Sequence, residues 1–193
     1  MKPIMMMTLL LALGCALQGC QTADERWLKA EASISACFSS MDDDPQLARV
    51  NAKFARRDPT PAQLADRAVP TEAEAAELRL RVERTAPCRA LRLAAVRENR
   101  PLMEPAYAVL YYQADQVFSY LQSQAITYGT ANRLSAASLE SFRHRERTYL
   151  GTGNAERTAA ADALREQLEA GHSTPPPTPD RSCVWQGLNV DCK

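Results

Sequence analysis

A run of tyrosines next to acidic and amide side chains is the part of this sequence that comes nearest to a chemical site. Five of the six tyrosines fall within a stretch of about 22 residues, and Tyr111, Tyr112, Asp115 and Gln116 lie together in its middle. Such a set could line a pocket for a sugar or a peptide, and Asp115 with a neighbouring Tyr could act as the acid–base group of a hydrolase. We favour a simpler interpretation, in which the rings pack in a core and the hydroxyls stay at its rim.

The histidines and cysteines do not have the spacing of a metal or catalytic site. His144 lies in the charged run "RHRER" and is expected on a solvated helix face, and His172 closes the last helix, where a cation suits the dipole. No two of the cysteines after Cys20 are two to four residues apart, and no nucleophile elbow, phosphate loop or zinc-protease motif is present. The sequence therefore predicts no metal, no cofactor and no catalytic residue.

The N-terminus has the pattern of an export signal. Lys2 precedes an uncharged apolar run of about 14 residues, which is shorter than the roughly 20 needed to span a bilayer. The sequence that follows, Leu17-Gln18-Gly19-Cys20, resembles the lipobox of bacterial lipoprotein precursors. This resemblance covers residues 1–21, and it implies that residues 1–19 are removed as a signal peptide and that Cys20 carries the lipid.

Two other interpretations of this segment stay open. Cys15 is a competing lipidation site, although it lacks a Leu three residues upstream, and Cys20 could be incidental in an ordinary cleaved signal. Gln21 follows Cys20, whereas Asp at that position tends to retain lipoproteins in the inner membrane. We therefore expect a lipid-anchored protein of the cell envelope, on the outer membrane and facing the periplasm.

The charge balance argues against nucleic acid as a partner. The chain has 23 Lys and Arg against 23 Asp and Glu, whereas phosphate binding needs an accumulated basic surface. The expected partners are the membrane, through the lipid, and a protein of the envelope. A small-molecule ligand is left unspecified.

Capping signals predict an all-α fold, an irregular antiparallel helical bundle over residues 20–172. Thr22, Thr60 and Thr71 each precede a Glu or Gln by three positions, which is the capping box of a helix start. Apolar residues recur at three and four positions in the first helix, and this spacing turns Cys37 toward the core.

Proline, glycine and apolar spacing set the other expected boundaries. Pro87 is expected to open a new helix, and Ser135 is expected to cap another one. Gly129 indicates either fraying or a close approach of another backbone segment. The expected helical spans are 45–56, 72–84, 87–100, 105–131, 136–150 and 154–170.

The C-terminal end of the chain predicts a small β-hairpin after a Pro-rich linker at residues 173–182. Pairing Cys183 with Cys192 leaves a two-residue loop that begins with Gly187, as a type II′ turn requires. In that register the two cysteines form a non-hydrogen-bonded pair, close enough for a disulfide. The linker would let Trp185 reach either the bundle or an external partner, and we expect truncation after residue 172 to leave the bundle folded.

The four cysteines after Cys20 predict two disulfides. An even number in an oxidising compartment favours disulfides, and the count alone allows three pairings. Cys37 and Cys88 both lie on inward stripes of separate helices, so we expect them to pair with each other. Cys183 and Cys192 would then close the hairpin.

These features together predict a membrane-anchored periplasmic lipoprotein that is a binding or structural module of the cell envelope. One alternative is an envelope hydrolase that uses Asp115, and another is a purely architectural subunit of an envelope complex. The candidate ligand or partner contacts are Tyr111, Tyr112, Asp115, Gln116 and Trp185.

Overall fold

The computed structural model of the chain describes residues 22–55, 57–171 and 183–192. The expected signal peptide, the lipidation site at Cys20 and the linker at 173–182 lie outside the described residues. The predictions for these segments therefore stay predictions.

The described residues form an irregular antiparallel helical bundle with a two-stranded antiparallel hairpin at its C-terminal end, as the sequence predicts. The helices are α1 Ala23–Ser39, α2 Ala48–Lys53, α3 Pro61–Ala65, α4 Glu72–Asn99, α5 Glu104–Gln122, α6 Tyr128–Gly151 and α7 Asn154–Gly171. Short 3-10 turns at Pro45–Leu47 and Pro101–Met103 precede α2 and α5, and the strands are β1 Cys183–Gln186 and β2 Asn189–Cys192. No helix among the described residues is long and apolar enough to cross a membrane.

The predicted capping boxes at Thr22, Thr60 and Thr71 are all present. In each box the threonine hydroxyl accepts the backbone N–H three residues on, and the side chain at that position accepts the threonine N–H. Asp44 similarly accepts the N–H of Gln46 at 2.9 Å and starts the first 3-10 turn. These helix starts follow the sequence because both partners of each cap lie within one turn.

The predicted helix break before Pro87 is wrong. α4 continues for 28 residues from Glu72 to Asn99 with Pro87 inside it. A proline in a helix interior loses a hydrogen bond and crowds the preceding turn, at a cost of about 3 kcal/mol. Leu78 and Val96, on either side of Pro87, are both fully buried. We attribute the continuity of α4 to this burial, which a break at Pro87 would disrupt.

The predicted single helix over 105–131 is also wrong, as is the separate helix capped by Ser135. α5 ends at Gln122, and Gln124 in the following turn has a left-handed φ of 59°. Thr127 then caps α6, because its hydroxyl accepts the backbone N–H three residues on at 3.2 Å. α6 passes through Ser135 without a break, so the chain turns about ten residues earlier than the sequence predicted.

Gly129 lets the start of α6 touch the segment before α4. Its N–H donates to the carbonyl oxygen of Asp66 at 2.8 Å, and the N–H of Tyr128 donates to that of Ala68 at 2.9 Å. A Cβ at position 129 would lie 2.6 Å from the carbonyl oxygens of both Leu64 and Asp66. The sequence-based alternative of a close backbone approach at Gly129 is therefore confirmed. The contact also gives partners to first-turn donors that a helix cannot satisfy internally.

The core consists of two large apolar clusters. One joins α2, α4, α5 and α6 and includes Val50, Leu78, Val117, Leu121 and Tyr128. The other joins α1, α4, α5 and α6 and includes Trp27, Ile34, Val96, Tyr107 and Phe142. α4, α5 and α6 contribute to both clusters, so they are the central helices of the bundle.

The predicted disulfide between Cys37 and Cys88 is confirmed. The two Cα atoms lie 5.7 Å apart although the cysteines are 51 positions apart in the sequence. The bond joins α1 to α4. It contacts a third apolar cluster that includes Met41 and Leu47.

The strand register agrees with the prediction at every pair, from Cys183 opposite Cys192 inward to the turn. Gly187 has a φ of 61°, and no non-glycine residue of the described hairpin has a positive φ, which fits the type II′ turn. Cys183 is disulfide-bonded, but the side chain of Cys192 lies outside the described ones. Disulfide closure of the hairpin is therefore not shown and stays a prediction.

The hairpin packs on the bundle. Cys183 and Val190 are buried in the cluster that joins α2, α4, α5 and α6, and Trp185 packs against it. The indole N–H of Trp185 donates to the carbonyl oxygen of Leu134 on α6 at 2.8 Å. Of the two surfaces considered for Trp185, the structure therefore favours the bundle over an external partner.

Candidate ligand-binding cavity

A cavity of about 210 Å³ lies among α1, α4, α5 and α6. Most of its lining is apolar and much of it is aromatic. The aromatic members are Phe38, Phe54, Tyr111, Phe118 and Phe142. For comparison, an apolar protein cavity of about 150 Å³ binds benzene, so this one has room for a small organic molecule.

The charged residues in the cavity lining are all arginines: Arg57, Arg81, Arg89 and Arg92. The guanidinium of Arg92 lies 5.5 Å from the ring centre of Phe38 and donates to the Glu31 carboxylate at 2.9 Å. The guanidinium of Arg89 lies 5.1 Å from the ring centre of Tyr111 and pairs with Asp115. The lining is therefore apolar with a cationic edge.

Several polar atoms next to the cavity have no hydrogen-bond partner among the described residues. They are the hydroxyl of Tyr111, Nε of Arg92 and one carboxylate oxygen of Glu31. Burial raises the pKa of Tyr111 to about 12. Its hydroxyl therefore stays protonated near neutral pH and is suited to donating a hydrogen bond, not to acting as a base.

The structure separates the candidate residues that the sequence placed together. Tyr111 lines the cavity, but Tyr112, Asp115 and Gln116 do not. The Asp115 side chain is 55% exposed and pairs with Arg89. The hydrolase hypothesis needed Asp115 among buried polar groups in a concave pocket, and the geometry does not provide that environment.

The sequence interpretation missed the polar stripe that faces the cavity from α4. Arg81, Thr85, Arg89 and Arg92 all line the cavity, and they recur at intervals of four, four and three residues. That spacing puts them on one helix face. The predicted break at Pro87 hid the stripe, because it divided these residues between two helices.

The described residues contain no group of three or more His, Cys, Asp or Glu side chains placed to hold a metal ion. The cavity can bind through apolar contact, ring stacking and hydrogen bonds from guanidinium and hydroxyl groups. These contacts define the class of protein as an all-α bundle with an arginine-edged apolar cavity.

Comparison with known proteins adds no family to this description. No protein-family profile matches the chain. No curated protein and no solved structure is significantly similar to it.

Proposed function

We propose that this chain is a lipid-anchored binding module of the cell envelope that holds a small, mainly apolar ligand in the cavity among α1, α4, α5 and α6. The lipobox-like sequence that ends at Cys20 supports the anchor. The cavity supports the binding role, and its volume of about 210 Å³ is the observation that carries the proposal.

The character of the lining supports a ligand over a packing defect. Protein interiors are close-packed, and voids larger than a water molecule are few. Here the cavity is lined by five aromatic rings, and three of its four arginines lie on one stripe of α4. A mostly apolar pocket with a few convergent polar groups is the usual form of a small-molecule site.

The position of the cavity along α1 fits attachment to a membrane. α1 begins three residues after Cys20, and Phe38 lies 15 residues beyond Ala23, the first residue of the helix. At 1.5 Å per residue this places Phe38 about 22 Å along the helix axis. A ligand bound next to Phe38 would therefore be held away from the anchored end of α1.

The exposed apolar side chains do not favour the architectural alternative. The large ones are Leu28, Val69, Leu91, Leu150 and Val184. They lie on five separate segments: α1, the segment before α4, α4, α6 and β1. Ligand binding is therefore the function that we put forward.

Filling the cavity tests the binding role. N-phenyl-1-naphthylamine, a neutral apolar dye that fluoresces when bound, is the probe, and the Cys20→Ala chain without residues 1–19 is the background. Ala114→Leu adds bulk to the cavity lining and should weaken dye binding by roughly tenfold or more. Ala137→Leu makes the same change at an exposed position of α6 outside the lining and should bind like the parent. Equal dye binding by Ala114→Leu and the parent would refute the site.

Metabolic labelling tests the anchor separately. In cells fed a fatty-acid label, the full chain should incorporate label, and Cys20→Ala should lose it and stay unprocessed. Cys15→Ala is the matched control and should keep the label. Label that survives Cys20→Ala and disappears in Cys15→Ala would move the anchor to Cys15.

A further inference from the structure

A second cavity, of about 220 Å³, lies between the C-terminal half of α6, the N-terminal half of α7 and the turn before α5. Met103, Ala106, Ala161 and Leu164 give it an apolar floor. It shares no lining residue with the first cavity. An inference from it is therefore independent of the function proposed above.

Two half-buried arginines enter this second cavity from different helices. Arg145 comes from α6 and Arg157 from α7. Nη1 of Arg145 and Nε of Arg157 are both buried and have no hydrogen-bond acceptor among the described residues. Two guanidinium donors from separate helices are thus left unsatisfied at the same site.

Other arginines on the same two helices are paired. Arg143 lies 3.7 Å from a carboxylate oxygen of Asp58, Arg147 lies 3.2 Å from one of Glu140, and Arg165 pairs with Asp162. Arg145 and Arg157 have no such ion pair within the described part of the chain. Arg133 of α6 also has no ion pair, but it donates to the carbonyl oxygen of Leu64 and to the hydroxyl of Thr130. Buried guanidinium N–H groups without an acceptor therefore distinguish Arg145 and Arg157 from the other arginines of α6 and α7.

The physical chemistry of guanidinium makes this arrangement unfavourable without an anion. An arginine side chain does not lose its proton in a protein, and a buried N–H group without an acceptor costs free energy. Burial lowers the pKa of Arg145, which means that its surroundings disfavour the charged form. Arg157 is held in place by the ring of Tyr149, whose centre lies 4.6 Å from the guanidinium carbon.

We propose that the second cavity binds a small molecule that carries a carboxylate or phosphate group on an apolar body. Guanidinium groups match the geometry of both oxyanions. The oxyanion would accept hydrogen bonds from Arg145 and Arg157, and the apolar body would lie on Met103, Ala106 and Leu164. The start of α7 adds positive potential, because the helix dipole is positive at the N-terminal end.

Glu156 is the carboxylate in the lining of the second cavity. It is exposed, and no ion pair between it and either arginine is described. Its negative charge would oppose an anionic ligand. Removal of that charge should therefore strengthen binding.

Calorimetric titration of the Cys20→Ala chain without residues 1–19 tests the proposal at constant ionic strength. The probes are phenyl phosphate, benzoate, inorganic phosphate and the neutral compound benzyl alcohol. With the first cavity filled by Ala114→Leu, phenyl phosphate or benzoate should bind saturably at one site and more tightly than inorganic phosphate, and benzyl alcohol should not bind measurably. If inorganic phosphate bound as tightly as the aromatic anions or more tightly, the proposed apolar contact with the ligand would be refuted.

Charge-removing variants locate the site. Arg145→Met and Arg157→Met should each weaken the binding of the aromatic anion by roughly tenfold or more. Arg165→Met, on α7 but outside the cavity, should bind like the parent, and Glu156→Gln should bind more tightly. An equal loss in Arg165→Met, or no loss in the first two variants, would refute the proposal.

If a variant fails to fold, thermal unfolding of the parent chain with and without the aromatic anion still tests the proposal. The aromatic anion should raise the melting temperature of the parent chain above that in an equal concentration of chloride. No rise over chloride, together with no calorimetric binding, would show that the two arginines have a purely structural role.

Discussion

Single arginine side chains enter a mostly apolar cavity by stacking on its rings. The guanidinium of Arg89 lies over Tyr111, and that of Arg92 lies over Phe38. Stacking covers the weakly hydrated face of a guanidinium and leaves its in-plane N–H groups free to meet acceptors. In this way α4 brings charge to the cavity edge while the lining stays largely apolar.

The smallest residue change with a large expected effect is Gly129→Ala. The new Cβ would meet two backbone carbonyl oxygens at 2.6 Å, and backbone cannot move aside as a flexible side chain can. We expect a loss of about 1–3 kcal/mol in the free energy of unfolding, despite the better helix propensity of Ala. Denaturant unfolding followed by circular dichroism measures this loss.

Gly151→Ala, at the other end of α6, is the matched control for Gly129→Ala. A Cβ built at position 151 meets no atom of another segment within 4 Å, so this variant should be at least as stable as the parent. Equal unfolding midpoints for the two variants would mean that segment 64–66 does not press against α6 in solution.

At the level of elements, the C-terminal hairpin depends on the bundle. A two-stranded hairpin by itself is marginally stable in water. Here one face of the hairpin is buried against the helices, and Val184 on the other face is 56% exposed. This docking revises our expectation from the sequence: truncation after residue 172 should uncover part of the core and destabilise the bundle.

A pair of identical substitutions on the two strands tests the docking. Val190→Ala removes two buried methyl groups and should cost about 1.5–2 kcal/mol of unfolding free energy. Val184→Ala removes the same groups from the exposed face and should change it by less than about 0.5 kcal/mol. Chemical denaturation measures both. A neutral Val190→Ala would indicate that the hairpin is detached in solution.

For the whole molecule, the bond between Cys37 and Cys88 is the long-range covalent constraint that the structure describes. It joins α1, which follows the proposed lipid anchor, to α4, which carries the arginine stripe. Phe38, which follows Cys37 directly, and Met41, four residues after it, both line the first cavity. The bond therefore fixes one wall of that cavity relative to the opposite helix.

Loss of this disulfide should destabilise the whole bundle. The cysteines are 51 positions apart, and on the loop-entropy model closing such a loop contributes about 4 kcal/mol at 25 °C. The Cys37→Ala, Cys88→Ala double variant should lose about that amount of unfolding free energy in urea. Reducing agent should destabilise the parent chain by at least that amount. It should destabilise the double variant less, because only the bond of Cys183 is left to reduce.

The sequence by itself determined the features whose partners lie within a few residues of one another. The capping boxes at Thr22, Thr60 and Thr71 and the hairpin register around Gly187 are of this kind. The pairing of Cys37 with Cys88 was also predictable, because apolar periodicity turned both cysteines toward the core.

Only the tertiary structure decided where burial of side chains overrides the local preferences for helix and turn. α4 continues through Pro87, and the chain turns after Gln122 although neither Gly nor Pro occurs in that turn. The convergence of the α4 stripe on the cavity and the docking of Trp185 on α6 also depend on residues that are distant in the sequence. Burial at such contacts outweighs local propensities of about 1–3 kcal/mol, and a single sequence does not show which distant surfaces will meet.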